Sequence, residues 1–78
     1  MRSSLFKDFG IPDAERDIEP DFHPQFKVPY LFFRSPGNPL VGLDLTGASQ
    51  LRDRLAHNGD TANAGAIDRL IQKARQLV

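Results

Sequence analysis

Residues 26–34 read Phe-Lys-Val-Pro-Tyr-Leu-Phe-Phe-Arg, followed by Ser35, Pro36, Gly37 and Asn38 and then by the run Leu40 to Leu45. This stretch decides the fold. The first run is β-branched and aromatic, the composition of a strand. The four residues after it signal a turn, because proline presets the second turn position and glycine tolerates positive φ at the third. The return run puts Val41, Leu43 and Leu45 on one face. A β-hairpin over 26–45 follows. Pro29 has no amide donor, so its strand is expected at a sheet edge, or with that nitrogen turned away from the ladder.

Downstream, the apolar period changes from two to 3.6. Thr46 can cap a helix over about 47–58, in which Ala48, Leu51, Leu55 and Ala56 form a stripe. Gly59 is a natural stop, and Asp60 or Thr61 can cap a second helix over 61–77. In that helix Ala64, Ile67, Leu70, Ile71, Ala74, Leu77 and Val78 follow the i, i+3, i+4, i+7 rule, the clearest periodicity in the chain. Leu70 and Ile71 are expected at the buried centre of the stripe. So short a connection makes the helices an αα-hairpin.

Upstream, Pro12, Pro20 and Pro24 interrupt any long period. Ser4 can cap one helical turn over Leu5 to Phe9, closed by Gly10. Pro12 suits the start of a second short helix ending near Asp17 or Ile18, before Pro20. Residues 1–25 therefore read as an acidic arm with short turns, and 26–78 as a small α+β domain. The apolar anchors of this region are Phe6, Phe9, Ile11, Ile18, Phe22 and Phe26. The class is α+β: a β-hairpin followed by an αα-hairpin, with an irregular N-terminal arm.

The hairpin poses a covering problem. Val28, Tyr30 and Phe32 share one face, Leu31 and Phe33 the other, and a two-stranded sheet is not stable alone. Two helices can cover one face. The arm, or another chain, must cover the second.

Composition narrows function. The chain has 78 residues, 40% hydrophobic and 26% charged, with no cysteine. That allows one small domain and excludes disulfides and thiolate metal sites. No apolar run approaches the roughly 20 residues of a membrane span, and the N-terminus lacks a signal-peptide core, so a cytoplasmic protein is expected. Ten basic and ten acidic residues cancel. They are not evenly spread: residues 1–26 carry six acids against three bases, and 27–78 carry seven bases against four acids.

No catalytic constellation emerges. Asp13, Glu15, Asp17, Glu19 and Asp21 recur at every second position. In an extended chain they would share one side, with Ala14, Ile18 and Phe22 opposite. A calcium loop starting at Asp13 would need glycine at its sixth position and glutamate at its twelfth, where Ile18 and Pro24 stand. The carboxylates instead suit a solvated face, pairing with the basic half, or a docking strip for a basic partner. His23 and His57 have no metal-ligand spacing, and the serines sit in no nucleophile motif. No cofactor or metal is expected.

Two binding readings remain. Tyr30, Phe32 and Phe26, with Phe22 and the acids Asp17, Glu19 and Asp21, are candidates for a protein-binding surface. Arg69, Lys73 and Arg75 could turn the αα-hairpin toward nucleic acid. However, the first turn of that helix offers Ala62, Asn63, Ala64 and Gly65, without a base. A non-enzymatic interaction module is therefore the expected function, with a protein partner or a second copy joined at the edge Val41 to Leu45, no membrane role, and nucleic acid the lesser alternative.

Overall fold

The computed structural model describes residues 5–12 and 16–77. A single 3-10 turn, Lys7–Phe9, comes first. Strands β1 (Asp17–Phe22), β2 (Pro29–Arg34) and β3 (Val41–Asp44) follow, then helices α1 (Leu45–His57) and α2 (Thr61–Arg75). The sheet is antiparallel in the order β1-β2-β3. Both helices lie on one of its faces, α2 over β1 and β2, and α1 over β2 and β3.

The α+β class, the hairpin and the αα-hairpin hold. The turn chemistry holds as well: the Asn38 amide donates to the Ser35 carbonyl at 3.1 Å and Gly37 has φ of 76°. The helix connection is as short as its residues demand. The Gly59 amide donates to the Ala56 carbonyl (3.1 Å) and the Asp60 amide to the Leu55 carbonyl (2.9 Å), with Gly59 at φ 85°. This is a Schellman closure. Asp60 then caps α2, accepting from the Asn63 amide. The cap of α1 is Asp44, two residues earlier than Thr46, and its Oδ1 accepts from the Gly47 amide at 2.7 Å. The 3-10 turn closes on Gly10 at φ 76°, as read; Ser4 lies outside the described residues.

The main difference concerns residues 17–22. The expected end of a short helix at Asp17 or Ile18 is corrected, since both residues belong to β1, which pairs with β2 from Asp17 opposite Arg34 to Phe22 opposite Pro29; residues 13–15 of that reading lie outside the described residues. Strand β2 is therefore central, and the edge placement of Pro29 is corrected too. The ladder explains why both prolines are tolerated. The His23 amide donates to the Val28 carbonyl at 2.8 Å, which makes that pair a hydrogen-bonded one. Antiparallel pairs alternate. Pro20 then directs its nitrogen off the outer edge of β1. Pro29 directs its nitrogen toward β3, at the point where the chain leaves the sheet to enter α1.

The core lies between sheet and helices. Leu31 and Phe33 of β2 are fully buried, with Leu51, Ile67 and Ile71 above them and Ala48 and Ala74 allowing close approach. Each large side chain so buried contributes about 1.5–3 kcal/mol. Leu70 is only half-buried at the edge of the core, and Leu77, beyond the end of α2, is exposed. A helix buries a stripe, and Ile67, Ile71 and Ala74 occupy it with Ala64. Arg52 of α1 donates to Asp68 of α2 at 2.9 Å and to Asp53 at 3.0 Å; these hydrogen bonds, that to Asp53 foremost, hold the guanidinium further in its charged form.

Phe6 and Ile11 are buried in this same core, and Phe9 packs against it. Arg16 lies over the Phe6 ring at 4.0 Å and donates to the Pro12 carbonyl at 3.1 Å, clasping the segment. The N-terminal apolar residues thus add to the helix side of the sheet. Among the described residues, Phe6, Phe9 and Ile11 leave its other face uncovered.

Candidate interaction face

Pairing fixes what the uncovered face displays. Side chains alternate across each strand, so Ile18, Pro20 and Phe22 share the helix side with Leu31, Phe33, Val41 and Leu43. The opposite face carries three rows, each read across the strands. They are Asp17 and Arg34; Glu19, Phe32 and Gly42; and Asp21, Tyr30 and Asp44. Below the last row, the turn of residues 23–27 adds His23 and Phe26.

These rings form a continuous aromatic row. His23 stacks on Phe26 with centroids 4.6 Å apart and tilts against Tyr30 at 4.7 Å; Tyr30 stacks with Phe32 at 5.8 Å. All fall in the range where ring quadrupoles attract. The row rests on local chemistry. The Nδ1 of His23 accepts from the amides of Gln25 (3.1 Å) and Phe26 (3.3 Å), so the ring closes its own turn. Lys27 completes the turn at φ 57°. On the other side, Gly42 gives the rings room: a Cβ there would stand 3.0 Å from Phe32 Cε1 and 3.1 Å from Tyr30 Cδ2. Tyr30 and Phe32 lean across the glycine and shield a weak point of β3.

The row is not core. Phe26 is 61% exposed and Val28 42%, while Tyr30 and Phe32 are half-buried. Carboxylates border it on both sides, Asp17, Glu19 and Asp21 along β1 and Asp44 on β3. Among the described residues of this face, Arg34 is the cation that stands with them, 3.6 Å from Glu19.

Six of the seven residues singled out for protein binding meet here: Asp17, Glu19, Asp21, Tyr30 and Phe32 on the sheet, and Phe26 in the turn. Phe22 does not; its register places it on the helix side. His23, Gly42 and Asp44 are participants that the sequence reading passed over. Their signal lay in strand pairing, a glycine opposite a phenylalanine and a histidine one step beyond a tyrosine.

The other candidate groups lie elsewhere. Arg69, Lys73 and Arg75 are exposed on α2. His57 ends α1, where it borders a shallow groove of about 330 Å³ with Leu5, Asp53, Arg54 and Asn58. Asp13 and Glu15 lie outside the described residues. Among the described residues no helix is long and apolar enough to cross a membrane. No protein-family model matches the chain, and neither does any curated protein or solved structure.

Proposed function

We propose that this chain is a non-enzymatic interaction module, an accessory subunit, adaptor or inhibitor, which docks a protein partner on the open face of its sheet, in the cytoplasm. One observation carries the reading: the helices and the described N-terminal residues pack on one side, leaving the row Phe26, His23, Tyr30 and Phe32 uncovered by them on the other, Phe26 exposed and the other three half-buried. A small domain that could spend aromatic rings on its core displays them instead. Aromatic residues with polar borders are the composition of protein-binding surfaces. Stacking two such faces in a dimer would oppose four carboxylates to four, with one guanidinium on each side, which favours a different protein over a second copy there.

The test is recovery of partners from the native host with the full chain and with two variants. Tyr30→Ser with Phe32→Ser should lose specific partners that the unaltered chain retains, with folding preserved by circular dichroism. Arg69→Ala, Lys73→Ala and Arg75→Ala together should retain them. Loss with the basic variant alone, joined to binding of duplex DNA that weakens steeply with salt, would favour the nucleic-acid alternative.

A further inference from the structure

Resting on that docking reading, we propose that the partner is engaged through a cationic side chain, an arginine or lysine of a basic segment laid over the Tyr30 ring between the carboxylates of Asp21 and Asp44.

The three rows of the open face differ in their charge balance. In the first, Arg34 stands opposite Asp17, and it also reaches Glu19 in the second. The third row has a carboxylate at each end, Tyr30 between them and no base. Neighbouring strands lie about 5 Å apart, so Asp21 and Asp44 flank the central strand at about that distance on either side. Each keeps an uncommitted oxygen. Asp21 Oδ1 accepts from the Phe22 amide at 2.7 Å, and Asp44 Oδ1 accepts from the Gly47 amide at 2.7 Å; the second oxygen of each has no hydrogen bond among those described. Between them the Tyr30 ring is held by His23 on one side and Phe32 on the other.

A cation placed over this ring meets the negative face of the π-system and two carboxylates at once. The side chain's apolar stem can lie along the half-buried Phe32 ring, which leans with Tyr30 over Gly42. The same arrangement repels phosphate and carboxylate, so it selects against nucleic acid and acidic peptides. It also explains why the exposed aromatic row is bordered by acids: the border sets the sign of the partner. Lys27 lies in the turn of residues 23–27, its amide donating to the His23 carbonyl.

The protein supplies its own reporter, since Tyr30 is the only tyrosine and tryptophan is absent. The full chain is titrated at low salt with four twelve-residue probes: a Gly-Arg repeat, a Gly-Glu repeat, an uncharged Pro-Leu repeat and single-stranded DNA. Tyr30 fluorescence and amide NMR shifts are followed. Saturable binding of the Gly-Arg probe is expected, with shifts centred on residues 19–21, 30–32 and 42–44. Asp21→Asn with Asp44→Asn should weaken it at least tenfold; asparagine keeps the cap of α1, so the fold is retained. Tyr30→Ser should weaken it at least fivefold, while the triple variant of Arg69, Lys73 and Arg75 should not weaken it. Gly-Arg binding indifferent to Tyr30→Ser would be nonspecific charge attraction and would overturn the proposal. So would absence of Gly-Arg binding, or preference for DNA or for the Gly-Glu probe. Binding of the Pro-Leu probe alone, at the same residues, would overturn the cationic partner yet leave the docking face standing. The docking face itself fails only if partner recovery is insensitive to Tyr30→Ser with Phe32→Ser.

Discussion

Phe32 and Phe33 are adjacent, identical in chemistry and separated by the plane of the sheet, so truncating each in turn measures which side is core. Phe33 is fully buried between Ile18 and Val41, under the helices. Phe33→Ala removes a ring from a closed core and leaves a cavity, at a cost of about 3–5 kcal/mol. A domain of this size has roughly 4–12 kcal/mol in total. Each kcal/mol moves the midpoint by about 4–8 °C in domains of this length, so a fall of at least roughly 12 °C is expected, or no folding. Phe32 is half-buried, with the Tyr30 and His23 rings beside it and Gly42 below. Phe32→Ala forfeits its ring pairs with Tyr30 and, at 6.5 Å, with His23, together about 1–2 kcal/mol, and part of its area. Urea unfolding followed by circular dichroism resolves the difference, since a lower midpoint at unchanged slope reports stability alone. Equal costs at the two positions would mean that the second face is also packed, and the reasoning about an open face would fail.

Three further outcomes follow from single contacts. Gly42→Ala should rotate the Tyr30 and Phe32 rings away from β3 and cost about 1–3 kcal/mol by overpacking, read as altered tyrosine fluorescence together with a lower urea midpoint. Arg16→Ala should release the Phe6 segment, costing about 1–2 kcal/mol and raising amide exchange at Phe9 and Ile11, whose amides donate to the Phe6 carbonyl. Asp60→Ala removes the cap of α2 and should cost about 1 kcal/mol, whereas Asp60→Asn should cost less than half of that.

The legible part of the fold was the part governed by local chemistry. Pro36 and Gly37 specify their turn whatever surrounds them, and the Ile67 and Ile71 stripe has one helical face to offer. Strand β1 was harder to read because its stability is not local. Asp17, Glu19, Pro20 and Asp21 are poor strand formers, and they form one here because Ile18 reaches the core and β2 supplies the ladder. The trace of it was the two-residue spacing of the acids, which reads equally as an extended surface arm. The candidate face was half legible for the same reason. Alternation alone separates Tyr30 and Phe32 from Leu31 and Phe33, but it cannot say which pair the helices cover. Nor does spacing reveal that Phe6 and Ile11 would join the covered side. His23 and Gly42 acquire their roles only once β1 and β3 flank β2.

The most direct measurement is collisional quenching of Tyr30 fluorescence by acrylamide in the full chain, alone and bound to a protein recovered with it from the native host. An open docking face requires ready quenching in the free chain and marked protection in the complex, with the protection lost in step with binding in Phe32→Ser. A complex that forms while Tyr30 stays as accessible as before would place the partner elsewhere and contradict the open face as the site of recognition.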